Sequence, residues 1–205
     1  FLVLHRSVRI IFLLLVLDDP TLWFLFIISL AVLFSFVLFR AKDFPYHRRL
    51  VIPCILFFGS LICWFLIPTS SWFSIPLEVS PNTQASVWVA QQTLSTYSSS
   101  WGSGPGTYAF DFSQFHDASL NETDFWSTRF DRASSFVLTL APTIGIFGLT
   151  MFGLFVVIMF FRSIIQVLRP ASRDEWLESF VHFSAWITLV VSAFLVPWNM
   201  TLMAF

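Results

Sequence analysis

Residues 21–39 read TLWFLFIISLAVLFSFVLF, a stretch without a single charged side chain. As a helix rising 1.5 Å per residue it covers roughly 28 Å, close to the thickness of a bilayer's hydrocarbon core. Three further runs share its character. Residues 50–67 are apolar and uncharged, and residues 135–161 are longer and include Pro142, Gly145, Gly148 and Gly153. Residues 180–205 are interrupted by His182, Pro197 and Asn199. Residues 10–17, before Asp18-Asp19-Pro20, are too short to span alone and read as the end of a cut-off helix or a re-entrant piece.

Composition excludes the main alternatives. Of 205 residues, 57% are hydrophobic and 11% charged, against about a quarter charged in soluble domains, so polar surface for a water-soluble globule is lacking. Mean hydropathy is +0.78. A net charge of −1 gives no global basic field for nucleic acid. Cys54 and Cys63 lie nine apart in one run, out of disulfide reach on one helix. The chain begins at Phe1 and reads as a fragment of a longer protein.

The cations orient these runs. Arg40, Lys42, Arg48 and Arg49 follow the first long run, and Arg162, Arg169 and Arg173 separate the last two; together they are seven of eleven basic residues. Both connections are expected on the cytoplasmic side. Residues 68–134, with six acidic residues and no cation before Arg129 and Arg132, then face outward. The expectation is an all-α fold: a polytopic transmembrane helical bundle with one long, partly helical outer loop. Its parts are N-terminal helices in 1–67, the loop in 68–134 and two C-terminal spans in 135–205.

A loop of this length is functional or disordered, and its aromatic content disfavours disorder. Ser80-Pro81 reads as an N-cap with proline at the first helical position, followed by a surface helix over 85–94 that carries Trp88. Thr123 is expected to cap a second helix running through Phe125, Trp126, Arg129 and Arg132 into the next span. Arg129 and Arg132, three apart, then share a face with Trp126 one turn earlier. Two guanidinium forks at the membrane surface suit a pyrophosphate; the alternative is an interfacial anchor with Asp131 pairing one of them.

Gly102, Gly104 and Gly106, in the turn Trp101-Gly-Ser-Gly-Pro-Gly-Thr107, allow close backbone approach to a ligand and an anion nest, or form an ordinary loop turn. His116, near Asp111 and Asp117, is a candidate general base or an inert loop histidine. His182 reads as a polar interface residue. Asn121-Glu122-Thr123 fits a glycosylation sequon. Gly145, Gly148 and Gly153 would admit a neighbouring helix, and Pro142 would kink its own helix or mark its start. No HExxH, CxxC or paired DxD spacing occurs, so no metal is expected.

Taken in order, Ala85-Ser-Val-Trp-Val-Ala90, Gly102-Ser-Gly-Pro-Gly-Thr-Tyr108, Phe125-Trp-Ser-Thr-Arg-Phe-Asp-Arg-Ala133 and Thr143-Ile-Gly-Ile-Phe-Gly148 resemble the outer-loop region of the O-antigen ligase / O-antigen polymerase family of bacterial membrane glycosyltransferases. The likeness covers residues 78–148, about a third of the chain. It implies a multi-pass enzyme of the bacterial inner (cytoplasmic) membrane, free of metal and cofactor, with the loop periplasmic. Such an enzyme moves a glycan from an undecaprenyl-pyrophosphate carrier to a glycan or lipid acceptor. The resemblance implies partners among lipid-linked oligosaccharide and membrane lipid, with no nucleic acid. It further implies Arg129 and Arg132 for the pyrophosphate, and Gly102, Gly104, Gly106 and Trp126 for the substrate loop. The family often carries Asn-His-Tyr-Leu-Glu before the post-loop helix, where this chain has Ser134-Ser-Phe-Val-Leu-Thr139. His116 or Asp131 is then left for the catalytic base, or the member is divergent or inactive. The second functional expectation is a non-enzymatic scaffold or transporter subunit with an outer interaction loop.

Overall fold

The structure, a computed structural model, describes residues 20–39, 50–66, 79–169 and 173–198. Among these it is all-helical, without strands. Helices α1 (Pro20–Phe39), α2 (Val51–Leu66), α3 (Thr83–Thr96), α4 (Tyr108–Phe115), α5 (Phe136–Leu168) and α6 (Arg173–Leu195) follow in chain order, with a 3-10 turn at Ala118–Glu122. The chain divides into two compact units, 1–77 with 166–188 and 78–165 with 189–205.

In the first unit, α1 and α2 pack through aromatic rings: Phe24 meets Trp64 at 5.8 Å and Phe34 meets Phe57 edge-on at 5.5 Å. That order, with early α1 against late α2, makes the pair antiparallel. The Trp176 indole donates to the Val167 carbonyl at 3.1 Å and stacks on Phe180, pinning the start of α6 to the last turn of α5.

In the second unit, Val89 from α3, Tyr108 and Phe112 from α4, and Phe130 and Ala133 from the chain entering α5 form a buried cluster. Phe112 and Phe130 meet edge-on at 5.0 Å. The helix starts are fixed by side-chain oxygens. Asn82 Oδ1 accepts from the Ala85 N–H at 2.7 Å, and Ser135 Oγ accepts from the Leu138 N–H at 3.3 Å. Ser86 Oγ accepts from the Ser134 N–H at 3.0 Å, which ties α3 to the entry of α5.

Two helices, Phe136–Leu168 and Glu178–Leu195, are long and apolar enough to cross a membrane; Pro20–Ser35 and Val51–Phe65 are apolar but shorter. Only 6% of the apolar window in α5 is buried, so its surface is not that of a soluble core helix.

Several sequence expectations are corrected. Asn82, not Ser80, caps α3, which begins at Thr83. No helix runs from Thr123 to Arg132: residues 123–135 are turns, bends and irregular chain, and α5 starts at Phe136. Burial of Phe130 and Ala133 in the cluster, and capture of the Ala133 and Ser134 N–H groups by Thr139 and Ser86 hydroxyls, draw this segment off a helical path. The expected short piece at 10–17 and the basic connection at 40–49 lie outside the described residues.

Candidate functional site

The glycine-rich turn and the kinked helix α5 turn out to be one construction. Within α5, Gly145 has φ 66° and ψ −175°, which breaks the helical ladder. Proline at 142 and glycine at 145 are the residues expected at such a break. It would strand two carbonyls and two amides. Instead the Ser103 N–H donates to the Pro142 carbonyl and the Gly104 N–H to the Thr143 carbonyl, both at 2.9 Å. In return, the Ile146 N–H donates to the Ser99 carbonyl at 2.9 Å and the Phe147 N–H to the Ser100 carbonyl at 3.0 Å. The loop thereby replaces the missing intrahelical bonds, each of which would cost on the order of 1–3 kcal/mol if left unmade in a buried position. Trp101 then packs on Phe147 at 5.1 Å.

The fit depends on two glycines. A Cβ on Gly102 would collide with the Pro142 carbonyl oxygen, and one on Gly145 would lie 2.5 Å from the Gly102 nitrogen and the Ser100 oxygen. The role expected for Gly145 and Gly148 is corrected accordingly. Gly145 admits a loop backbone rather than a helix and Gly148 faces its own Ile144, while the space beside Gly153 is open and leaves its expected role untouched. The anion nest is corrected too: the Ser103 and Gly104 N–H groups that would line it are already bonded to α5.

Behind the turn sits Asp111, in the first turn of α4 and 2% exposed. Its Oδ2 lies 2.5 Å from Ser103 Oγ and 3.3 Å from Thr107 Oγ1. Burial raises its pKa above the ordinary carboxylate value, and the two hydroxyls offset only part of that rise. Tyr108, 1% exposed, is pushed up to about 12, by burial first and the nearby Asp111 charge last, with Ser86 opposing.

The other predicted residues do not converge. Arg132 forks onto its neighbour, Nε to Asp131 Oδ1 at 2.9 Å and Nη2 to Oδ2 at 2.8 Å. Those hydrogen bonds, then the guanidinium charge, lower the Asp131 pKa below the usual carboxylate value. Arg129 is exposed, and Trp126 is 69% exposed. Without a helix, the shared face expected for the two arginines is absent.

His116 lies elsewhere, on a groove of about 1000 Å³ whose wall includes Asn82, Gln84, Trp88, Asp117 and Phe130. Its ring stacks on Phe112, and Nδ1 lies 3.0 Å from the Phe112 carbonyl. A carbonyl only accepts, so Nδ1 carries the proton and the neutral ring has its basic lone pair on Nε2. Among the described residues, no group of three His, Cys, Asp or Glu side chains could hold a metal ion.

Asp111 and Ser103 are the residues that sequence reasoning passed over. Their signal was Thr107 and Asp111 one helical turn apart directly after the glycine-rich turn. Protein-family models, curated proteins and solved structures contain no match to this chain.

Proposed function

We propose that the chain belongs to a membrane-embedded glycosyltransferase like the O-antigen ligases and polymerases. It would move a glycan from an undecaprenyl-pyrophosphate carrier to a glycan or lipid acceptor on the periplasmic face of the bacterial inner membrane. One observation supports this reading above the others. Two of the motifs that carry the likeness, Gly102–Tyr108 and Thr143–Gly148, lie in segments that interlock through four backbone hydrogen bonds between residues 99–104 and 142–147, of which Gly104 N–H to the Thr143 carbonyl joins the motifs themselves. Separate motifs with unrelated roles have no reason to meet in that way.

Roles follow by chemistry. Arg129, exposed, is the cation open to a pyrophosphate, and Arg132, forked on Asp131, is a positioning residue beside it. Charge held at the leaving oxygens lowers the transfer barrier without a metal. His116, with its lone pair on Nε2, would deprotonate the acceptor hydroxyl from the groove. Asp131 is engaged by Arg132 and is the weaker base.

The test is transfer from lipid-linked glycan by the full-length protein in membranes. Arg129→Ala is expected to lower transfer about 100-fold or more, as loss of a single charge-stabilising donor does elsewhere. His116→Ala should lower it to a similar degree. Normal transfer by both well-inserted variants would end the proposal.

A second reading, a non-enzymatic membrane scaffold, is favoured by the arginines themselves. One is solvated and the other paired with its neighbour, as surface anchors are. On that reading Arg129→Ala and His116→Ala leave any envelope phenotype unchanged, while loss of the whole 79–134 segment abolishes it.

A further inference from the structure

The clasp between loop and broken helix has an ionisable group built into it. Ser103 bonds to Pro142 by its N–H at 2.9 Å, and its Oγ lies 3.3 Å from the same carbonyl. That Oγ is also 2.5 Å from Asp111 Oδ2 and 2.7 Å from Thr107 Oγ1. Thr107 Oγ1 in turn lies 2.6 Å from the Gly104 carbonyl, to which it can only donate. The Thr107 proton is therefore committed, and the single Ser103 proton must serve Asp111, Thr107 or Pro142.

The protonation state of Asp111 decides the direction of this chain. As a neutral acid, Asp111 donates to Ser103 Oγ and needs little else, and the Ser103 proton is released toward the clasp. As a carboxylate, it takes the Ser103 proton and still has acceptor sites that two hydroxyls cannot fill. A buried carboxylate so poorly solvated is relieved only by water. Water reaches it when the loop lifts from α5.

Among the described residues, none pairs with that charge. On its own helix the titratable neighbour is Tyr108, and His116 lies at the far end, stacked on Phe112. Facing elements α3 and the 136–161 part of α5 contain no ionisable Asp, Glu, Lys, Arg or His. The segment that packs through Phe130 carries His116, Asp117, Glu122, Asp124, Arg129, Asp131 and Arg132. None of these pairs with Asp111, whose bonds go to Ser103 and Thr107.

We propose that Asp111 is a proton-controlled latch: the neutral acid seats the glycine-rich loop on the break in α5, and the carboxylate releases it. The proton leaves to, and returns from, bulk water at the exposed side of the loop as the clasp opens. This inference does not depend on the glycosyltransferase reading, since the device would serve a scaffold equally.

Hydrogen exchange on the full-length protein in nanodiscs tests it, after correction for intrinsic rates. The reporters are the Ser103, Gly104, Ile146 and Phe147 amides. In the wild type, their protection is expected to fall as pH rises from 5 to 8, by up to about tenfold per pH unit within the titration window. Asp111→Asn, which can still donate to Ser103, should hold high protection at both ends, while His116 remains in place as the internal control. Flat protection in the wild type, or an unchanged pH dependence in Asp111→Asn, overturns the proposal. Should that variant fail to fold, infrared difference spectra of wild-type protein with isotope-labelled aspartate read the acid directly. A protonated carboxyl lost in step with amide protection upholds the latch; full ionisation throughout the range overturns it.

Discussion

Gly102 and Gly145 face each other across the clasp, and each excludes a side chain for two reasons. Both have positive φ, 72° and 66°, and both lie where a Cβ would meet backbone atoms that cannot swing away. Gly102→Ala or Gly145→Ala is therefore expected to destabilise by about 2–4 kcal/mol, with strained φ alone contributing ~1–3 kcal/mol. Gly153 is the control: it is helical and faces open space, so Gly153→Ala should be stabilising by roughly 0.5–1 kcal/mol. Unfolding in detergent, followed by circular dichroism, would rank the three. Tyr108 offers a second residue-level test, because its buried hydroxyl has no partner at hydrogen-bonding geometry among the described residues. Its folded pKa is raised, so its contribution is complete below about pH 10 and is lost as pH climbs toward 12. That two-unit gap corresponds to about 3 kcal/mol of alkaline destabilisation. Tyr108→Phe should remove this alkaline loss and leave neutral-pH stability equal or slightly higher; a variant that still loses stability between pH 10 and 12 would contradict the assignment.

Among elements, the join between α3 and the entry to α5 rests on Ser86. It is fully buried, donates to the Asn82 carbonyl at 2.9 Å and receives the Ser134 N–H. Ser86→Ala would leave that amide bare and is expected to cost about 1–3 kcal/mol, read as a lower midpoint in denaturant titration. Ser86→Thr, which keeps the hydroxyl, should recover part of it. The same join explains which elements were legible in sequence. The apolar runs at 21–39 and 50–67 announced α1 and α2, because uncharged stretches of that length have few other solutions. The α3 helix was legible apart from its cap. The helix expected over 123–132 was not there, because its apolar residues answer to distant partners. Phe130 fits Phe112, and Ser134 reports to Ser86, forty-eight positions earlier. Ser127, Thr128, Asp131, Ser134 and Ser135 are poor helix formers, and Asp131 and Ser135 use side-chain hydrogen bonds instead, to Arg132 and the Leu138 N–H. Periodicity alone could not see these long-range bonds. The same holds at the candidate site: the glycine turn was noticed, but its partner was sought among ligands when it is the backbone of α5.

For the molecule as a whole, the break in α5 bears on the proposed membrane placement of the loop. The helix runs from Phe136 to Leu168, 33 residues and roughly 50 Å, well beyond a hydrocarbon core of about 30 Å. From Ile146 onward the uninterrupted part is roughly 34 Å, which matches that thickness closely. Broken backbone is tolerated at membrane depth only where protein covers it, and the loop supplies that cover. Trp101 beside Phe147 is the kind of aromatic pair that settles at the headgroup level. On the proposed membrane reading, these three features would set the boundary near residue 145, with residues 79–134 in water on one side. On the same reading, the cations Arg162 and Arg169, toward the other end of α5, would face the cytoplasm. Single cysteines, introduced after Cys54 and Cys63 are changed to Ala, would read the arrangement in intact cells with a membrane-impermeant maleimide. Ser113→Cys, on the exposed face of α4, is expected to label from outside, whereas Gln166→Cys, exposed near the end of α5, should label only after the membrane is permeabilised. The reverse pattern would carry the loop, its groove and both arginines into the cytosol and end the proposal of transfer at the periplasmic face.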